Sequence, residues 1–466
     1  MSILNKNLII ISIDNLRADC VGFDSKFNIN IPILNRFVRE GIFFDNCIAT
    51  APYTTNAHAS LLTGFWPYNH GVIDFFSSKL EKPTILKILK AVGYKTLWQT
   101  DFSFLLGDKL GFTDGIDKFV AGSEADSYAW LEENKRNNTA CFFHFANVHD
   151  PYGFVDFAHS GKAYAEKVES LLNKYNLEKE NTAYPGQHYL LNEKQNEADL
   201  ILKQNYRRVI NYLHEQEKYD EIMELYIEGL NYFDQNRLAK FINNLEMLGV
   251  LQNSLVVIAG DHGEVWDQDN QGHNKGNGKN GLIDELLKVP VIFWQKGFQG
   301  SFKISKQIRS IDVVPTCLSI LGLDNNKFDG TDLSDFSAIS NDLPAYSQLW
   351  ETDSALVTIF MNQVNKAGVL KKPEFLSSLV SAAIRQNGFS LLDYYPKSGK
   401  AQSVFLKNNQ KIKNPEEFKD ILDVFRRRLD DYNEKTRNKF NENDRNIKNN
   451  DREEIAKQLR AIGYNI

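Results

Sequence analysis

The sequence predicts an α/β fold, in which a mostly parallel sheet is sandwiched by helices and a smaller C-terminal α+β domain follows. Three apolar runs, at residues 7–14, 140–148 and 253–260, have the length and composition of buried parallel strands. Each run ends in ionisable residues or is followed at once by them. Because ligands bind outside the carboxyl ends of the strands in an open α/β sheet, these three strand ends predict a single site.

The remaining patterns along the chain support this fold class. Helical patterns cover residues 33–40, 84–92 and 311–321, another helix begins at residue 59, and short strands are predicted at 95–99 and 289–294. Residues 161–219 are polar and Tyr-rich and have the pattern of a helical insertion, which a long helix up to residue 237 follows. Alternation of strands with helices predicts βαβ units and therefore a parallel sheet.

The length of 466 residues predicts two domains, because one ordinary hydrophobic core does not grow to this size. We place a catalytic α/β domain at residues 1–341 and an α+β domain at residues 342–466. In the second domain, strand patterns at 354–361, 381–385 and 389–393 predict a small antiparallel sheet, and the charged segment from residue 415 onward predicts terminal helices.

The composition indicates which classes of binding partner are not expected, and it leaves the oligomeric state open. The net charge is −6 and the basic residues are scattered, so nucleic-acid binding is not expected. No stretch approaches the ~20 apolar residues of a membrane span, and the first apolar run is too short for a signal peptide. A cytoplasmic location is expected. The cysteines form no CxxC pair, as is typical of buried thiols in a reducing compartment, and are Cys20, Cys47, Cys141 and Cys317.

Two of the strand ends carry residues that suit a metal ion. Asp14 and Asn15 offer a carboxylate and an amide oxygen, which hard divalent cations prefer. Asp261 and His262 are flanked by glycines and can both reach one ion. Taken singly, a strand-end Asp that caps a turn and a His that faces solvent remain open as alternatives.

A hydroxyl-rich segment, PYTTNAHASLLTG at residues 52–64, offers a nucleophile. A hydroxyl just before a helix N-terminus is well placed, because a metal can lower its pKa and the helix end stabilises the charge of the transferred group. Two adjacent threonines, Thr54 and Thr55, precede His58 here. The alternative is an N-cap Thr, which contributes about 1 kcal/mol and no chemistry.

Three further basic residues are candidates for contact with a substrate. His149 follows the second apolar run, and His273 and Lys275 lie in a Gly- and Asn-rich loop. Each could hold substrate oxygens or protonate a leaving group. For each one alone, a surface His or Lys is the alternative.

Taken in order, these segments resemble the sulfatase branch of the alkaline phosphatase superfamily. The similar segments include IDNLRAD, SLLTGFWPYNHGV, VHDPYG, YIEGLNYFDQNRLAKFINNLEMLG, NSLVVIAGDHGE, DELLKVPVI and IDVVPTCLSILGL. The resemblance implies a metal-dependent ester hydrolase or phosphotransferase. It also implies a metal site formed by Asp14, Asn15, Thr54, Asp261 and His262.

The nucleophile segment departs from the pattern of true sulfatases, which is Cys or Ser, x-Pro-x-Arg and then Leu-Thr-Gly. Thr54 stands at the Cys position, Asn56 replaces Pro, and His58 stands at the Arg position. Thr cannot become a formylglycine aldehyde, and Thr54 instead resembles the unmodified Thr of nucleotide pyrophosphatase/phosphodiesterases and lipoteichoic-acid synthases. We therefore expect cleavage of phosphodiesters or phosphonate esters. Sulfate ester hydrolysis and a catalytically silent binding protein are the alternatives.

The resemblance also bears on the metal and on the basic residues. Two-zinc relatives need a late His, whereas all nine His lie at or before His273, so a single divalent ion is expected: Mn²⁺, Mg²⁺, Ca²⁺ or Zn²⁺. His58, His149, His273 and Lys275 would form a basic shell around the substrate. The expected substrate is a small-molecule, glycan-linked or lipid-linked phosphate or sulfate ester. Thr55 would point toward the helix cap.

Overall fold

The computed structural model describes residues 6–73, 79–103, 105–108, 110–122, 124–153, 162–182, 197–267, 270–271, 281–298, 302–352, 377–396 and 400–446. The strands are β1 Asn7–Ile13, β2 Ile42–Ile48, β3 Lys95–Thr100, β4 Lys118–Ala121, β5 Thr139–Phe145, β6 Ser254–Gly260, β7 Trp266–Asp267, β8 Asn270–Gln271, β9 Lys288–Trp294, β10 Phe302–Ile304, β11 Ile308–Arg309, β12 Ala345–Thr352, β13 Ser377–Gln386, β14 Phe389–Tyr394, β15 Gln402–Lys407 and β16 Gln410–Lys411. The α-helices are α1 Pro32–Glu40, α2 Thr54–Thr63, α3 Pro67–His70, α4 Ile85–Ala91, α5 Ala125–Glu133, α6 Lys162–Lys174, α7 Glu197–Glu215, α8 Tyr219–Phe233, α9 Ala239–Met247, α10 Asp284–Leu287, α11 Val313–Ile320 and α12 Lys419–Asn446.

The central sheet has the strand order β10-β2-β9-β6-β1-β5-β3-β4, with β11 also paired to β2. Its pairs are parallel except at β9, which runs antiparallel to both β2 and β6. The predicted mostly parallel sheet is therefore confirmed. Strand β1 lies at the centre, between β5 and β6, and both pairings are parallel.

Helices cover both faces of this sheet, because side chains alternate between the faces of a buried strand. Leu8 and Ile10 of β1 pack on one face in the core shared with α2, α4 and α11. Ile9, Ile11 and Ile13 pack on the other face, in the core shared with α1, α8 and α9. A strand that is buried on both faces needs apolar side chains at successive positions, which explains the unbroken apolar run of β1.

A second, antiparallel sheet has the order β12-β13-β14-β15-β16 and packs against α12. Phe425 and Leu429 of α12 share a small core with Ile384 and Phe405 of the sheet. The predicted strands at 381–385 and 389–393 lie within β13 and β14, and the predicted terminal helix corresponds to α12. The predicted strand at 354–361 and the chain from residue 447 lie outside the described residues.

Two predicted boundaries near the site are wrong. The strand predicted to run to residue 148 ends at Phe145. Ala146 and Val148 are still buried, but the Ala146 backbone amide donates to Asp101 Oδ2, 2.9 Å away, instead of to a strand. The helix predicted from residue 59 already begins at Thr54, so the polar segment before it is its first turn.

Candidate active site

The candidate site lies at the carboxyl ends of the three central strands. Asp14 follows β1 and Asp261 follows β6, and the register of these strands pairs Ile13 with Gly260. The next residue of each strand therefore lies beside that of its neighbour. The backbone amide of Asp14 continues the pairing with β5 by donating to the Phe145 carbonyl oxygen, 2.9 Å away.

Asp14, Asp261 and His262 form a buried cluster that could hold a metal ion, with one ligand atom from each residue lying within 4.8 Å of the others. His262 Nε2 is 3.6 Å from Asp14 Oδ1 and 3.4 Å from Asp261 Oδ2. Both carboxylate oxygens are buried and have no hydrogen-bond partner in the described part of the chain. Buried polar atoms are rarely left in this state, so the two oxygens fit a bound cation.

The imidazole of His262 is oriented to bind a metal ion at this cluster. Its Nδ1 lies 2.9 Å from the Gly263 carbonyl oxygen, which can only accept, so Nδ1 carries the proton. Nε2 therefore presents a lone pair toward the two carboxylates. Two carboxylate oxygens and one imidazole nitrogen suit a divalent ion, and this donor set does not distinguish among Mn²⁺, Mg²⁺, Ca²⁺ and Zn²⁺.

The electrostatics of the two carboxylates fit a cation as well. Burial, together with the charge of Asp14, raises the pKa of Asp261 to about 6. Burial alone would also raise the pKa of Asp14, but a hydrogen bond from His144 and the charges of His149 and His262 outweigh it and hold that pKa below its ordinary value. A divalent cation would stabilise both carboxylates in the ionised form.

The Thr54 hydroxyl lies at this cluster. Thr54 Oγ1 is 3.5 Å from Asp14 Oδ2 and 3.5 Å from His262 Nε2. Thr54 is the first residue of α2. The N-cap residue of this helix is Tyr53, and its side chain makes no capping hydrogen bond. The prediction that Thr55 points toward the helix cap is wrong, because its Oγ1 is buried and makes no hydrogen bond to any described residue.

His58 lies one turn farther along α2 and is fully buried. Its Nδ1 donates to the Thr54 carbonyl oxygen at 2.8 Å, and its Nε2 accepts from Ser12 Oγ at 2.7 Å. Burial, reinforced by the charge of His144, lowers the pKa of His58 to about 3. The ring is therefore neutral near pH 7 and binds the backbone of Thr54, whereas the sequence predicted that His58 would belong to a basic shell around the substrate.

Of the other predicted basic residues, the structure describes His149 but not His273 or Lys275. His149 follows β5 and is half-buried, and its Nδ1 donates to the Asp150 carbonyl oxygen at 2.8 Å. Its ring packs edge-on against Phe102, with 5.5 Å between centroids. His273 and Lys275 lie outside the described residues, so their roles stay predictions.

One residue of the site was missed by reasoning from the sequence. His144 lies inside β5, fully buried, with Nε2 3.4 Å from Asp14 Oδ2 and Nδ1 3.2 Å from Thr100 Oγ1. A titratable residue within an otherwise apolar strand is costly to bury unless it has partners. His144 within the run ACFFHFANV was the signal available.

Comparison with known proteins identifies the family. A profile of the sulfatase family matches residues 6–323. The chain belongs to the sulfatase family. The resemblance seen in the sequence is thereby confirmed, and the relatives found bear the names of enzymes.

Two relatives illustrate the range of proteins to which this sulfatase-family chain is similar. Lipoteichoic acid synthase 2 of Bacillus subtilis is 23% identical over 336 residues, or 69% of this chain and 46% of that protein. A low-salt glycan biosynthesis sulfotransferase of Haloferax volcanii is 29% identical over 195 residues, or 38% of this chain and 46% of that protein. The matches thus cover just under half the length of these two proteins.

Solved structures share the fold. A phosphonate monoester hydrolase from Silicibacter pomeroyi superposes with a TM-score of 0.57 at 16% identity, covering 91% of this chain and 94% of that chain. At this identity the likeness concerns the fold alone. Among the described residues, no helix combines the length and the apolar character that a membrane crossing requires.

Proposed function

We propose that this chain is a metal-dependent hydrolase or transferase of phosphate esters, with phosphodiesters and phosphonate monoesters as its substrate class. The observation that carries the proposal is the position of the Thr54 hydroxyl, 3.5 Å from both Asp14 Oδ2 and His262 Nε2. A hydroxyl at a buried carboxylate and imidazole cluster has the surroundings of an activated nucleophile.

Asp14, Asp261 and His262 would hold the divalent ion that the family uses. Such an ion supplies a lowered pKa for a nearby hydroxyl and positive charge opposite the oxygens of the transferred group. The neutral ring of His58 fixes the first turn of α2, since it binds the Thr54 carbonyl oxygen. The start of α2 adds the partial positive charge of a helix N-terminus.

In the proposed reaction, the Thr54 hydroxyl releases its proton to solvent, and Oγ attacks phosphorus in line with the leaving alcohol. The bond from Oγ to phosphorus forms, the ester P–O bond breaks, and the departing alkoxide takes a proton from a neighbouring acid. His149 is the candidate for this acid among the described residues, because its ring packs on Phe102, which also packs against His144 beside Asp14. Water, or an acceptor hydroxyl in a transfer, then gives its proton to the base left on that acid and attacks phosphorus, and the bond from phosphorus to Oγ breaks, which regenerates Thr54.

The preference for phosphate over sulfate esters rests on the identity of residue 54. Thr cannot supply the aldehyde hydrate that sulfatases use, whereas a threonine hydroxyl can attack phosphorus directly. A synthase of lipoteichoic acid and a phosphonate monoester hydrolase among the similar proteins agree with this preference.

A second candidate function is sulfate ester hydrolysis at the same site. The family name and the similarity to an ulvan-active sulfatase and an N-acetylglucosamine-6-O-sulfatase favour it. The geometry at Asp14, Asp261 and His262 suits either ester, since sulfate and phosphate groups have the same tetrahedral shape. Residue 54 alone separates the two candidates.

An assay panel tests the proposal. The purified protein, supplied in turn with Mn²⁺, Mg²⁺, Ca²⁺ and Zn²⁺, is incubated with bis-p-nitrophenyl phosphate, p-nitrophenyl phenylphosphonate, p-nitrophenyl phosphate and p-nitrophenyl sulfate. We expect the first two substrates to turn over fastest. Efficient cleavage of the sulfate with weak cleavage of the phosphate esters would favour the second candidate. No turnover with any metal would favour a silent binding protein.

A further inference from the structure

Asn15 follows the metal-site residue Asp14, and its hydrogen bonds determine the orientation of its side-chain amide. Its Nδ2 donates to Glu264 Oε2 at 2.8 Å, and Glu264 Oε1 accepts from the Val265 backbone amide at 2.9 Å. Carboxylate oxygens only accept hydrogen bonds, so the amide NH₂ group of Asn15 must face Glu264. The carbonyl oxygen Oδ1 is thereby turned the other way.

The oxygen that is turned away from Glu264 has no partner in the described residues. Asn15 is fully buried, and its Oδ1 makes no hydrogen bond there. The metal-site oxygens Asp14 Oδ1 and Asp261 Oδ2 are in the same state. An amide oxygen is a ligand that Ca²⁺, Mg²⁺ and Mn²⁺ accept beside carboxylates.

The backbone of Asn15 is fixed from two sides. Its amide donates to Asp261 Oδ1 at 3.2 Å, and its carbonyl oxygen accepts from the Tyr226 hydroxyl at 2.8 Å. The same hydroxyl accepts from the Arg17 backbone amide at 3.2 Å. These bonds hold Asn15 in the left-handed conformation, at φ 59°, which Asn adopts more readily than most residues.

Tyr226 comes from α8, which is remote in sequence from this loop and packs on one face of the central sheet. Its side chain is fully buried, and its hydroxyl is a hydrogen-bond donor that reaches the Asn15 carbonyl oxygen. The aromatic ring of Trp266 lies against Tyr226, with 5.1 Å between centroids, and restricts its movement.

We propose that Glu264 and Tyr226 are positioning residues of the cation site. They hold the side chain and the backbone of Asn15 so that its Oδ1 completes the ligand set of Asp14, Asp261 and His262 with a neutral oxygen. The inference rests on the cation site of the proposed function, but it does not depend on which ester is cleaved. Partners that orient a ligand in this way typically contribute 10- to 100-fold to metal affinity.

Titration of the metal-free full chain with MnCl₂, followed by calorimetry, tests this role without any substrate. Glu264→Gln nearly preserves shape, but a Gln side chain can accept only one of the two hydrogen bonds that Glu264 accepts. Tyr226→Phe removes only the hydroxyl. We expect each variant to bind Mn²⁺ about 10- to 100-fold more weakly than the wild type. The matched control is Tyr206→Phe, another fully buried Tyr of the same helical layer, which should bind like the wild type.

A double-mutant cycle separates positioning from a general loss of stability. Asn15→Gly removes the amide while allowing the left-handed backbone. If Glu264 acts through Asn15, adding Glu264→Gln to Asn15→Gly costs no further Mn²⁺ affinity. Wild-type affinity in Glu264→Gln, or an equal loss in both backgrounds, would overturn the inference. Absence of Mn²⁺ binding by the wild type, with the other three ions also unbound, would instead overturn the cation site of the proposed function.

Discussion

At the scale of the residue, the adjacent hydroxyls of Thr54 and Thr55 lie in different surroundings. Thr54 Oγ1 is 3.5 Å from Asp14 Oδ2, whereas Thr55 Oγ1 is buried without a hydrogen bond to any described residue. Successive residues of an α-helix project about 100° apart, so only one of the two can face the cluster. We therefore propose Thr54 alone as the nucleophile.

We expect Thr54→Ala to lower turnover of bis-p-nitrophenyl phosphate by about 10³-fold or more, because the attacking oxygen is lost. The fold and most of the Mn²⁺ affinity should remain, since the cluster Asp14, Asp261 and His262 is intact. Brief incubation of the wild type with substrate, followed by digestion and mass spectrometry, should find phosphate on Thr54.

The control for this experiment is Thr55→Val, which keeps the shape of the side chain and removes a buried hydroxyl that has no described partner. Activity should equal that of the wild type, and the free energy of unfolding should stay the same or rise. Phosphate on Thr55, or a fully active Thr54→Ala variant, would show that the assignment is wrong.

The sequence predicted Asp14, Asp261 and Thr54 because the first two follow predicted strands and the third precedes a predicted helix. Asp14 and Asp261 were brought together by the rule that parallel strands place their carboxyl ends at one edge. His144 escaped the prediction because it lies within β5, where an apolar run conceals a single inward-facing polar residue. The neutrality of His58 could not be predicted either, since it depends on complete burial.

At the scale of the element, helix α1 is capped by a residue about 200 positions away. Its N-cap residue Ile31 has no side-chain cap. Asp234 instead accepts hydrogen bonds from the backbone amides of Ile33 and Leu34, both at 2.9 Å. Asp234 begins the short π-helix that joins α8 to α9, and it is fully buried.

We expect Asp234→Ala to lower the free energy of unfolding by about 1–2 kcal/mol, the upper part of the usual range for a lost helix cap. Urea denaturation of the variant and the wild type measures this difference. Asp234→Asn serves as the control, because its side chain keeps one acceptor oxygen and nearly the same volume, so its loss should be smaller. An Asp234→Ala variant as stable as the wild type would contradict this account of the cap.

A buried His of α3 forms a hydrogen bond to helix α2. His70 Nδ1 accepts from the Val72 backbone amide at 3.1 Å, so its Nε2 carries the proton and donates to Ser60 Oγ at 2.9 Å. Ser60 Oγ also accepts from Thr50 Oγ1 at 2.8 Å. Burial lowers the pKa of His70 from 6.5 to about 3, so the folded protein holds this ring neutral.

This lowered pKa predicts a loss of stability in acid. Between pH 6.5 and about 3 the unfolded chain binds a proton at His70 and the folded chain does not, so the free energy of unfolding falls as pH falls. The contribution of this residue is complete above pH 6.5, and its slope is at most about 1.4 kcal/mol per pH unit. The variant His70→Gln can keep the bond to Ser60. We expect its free energy of unfolding, measured by urea denaturation, to change less between pH 6.5 and 4.5 than that of the wild type. Equal slopes in both proteins would contradict the prediction.

The order of the elements was predicted better than their boundaries and directions. The run at residues 289–294 was predicted as a strand, but the sequence did not show that β9 runs antiparallel to its neighbours, because a strand buried on both faces has the same composition in either direction. The first turn of α2 was missed because its polar residues resemble a loop, although every residue of the helix is buried. Burial of polar side chains at a site is a tertiary property.

At the scale of the whole molecule, the site joins strands that are far apart in the chain. Asp14 follows β1, and Asp261, which follows β6, comes 247 residues later. These strands form the centre of the large sheet, so a bound ion would connect its two halves at their carboxyl ends. An ion that binds only the folded arrangement stabilises the whole domain by mass action.

We therefore expect removal of divalent ions to lower Tm and to abolish turnover together. At a free-ion concentration 100 times the Kd, binding adds about 2.7 kcal/mol to the free energy of unfolding, and dialysis against EDTA should remove this amount. Thermal unfolding followed by circular dichroism measures the change, and returning Mn²⁺ should restore both Tm and activity. The control is Asp261→Asn, which loses a charged ligand and should show a Tm that EDTA does not change. A wild-type Tm that is the same before and after verified removal of the ion would show that the cluster at Asp14, Asp261 and His262 holds no structural or catalytic cation.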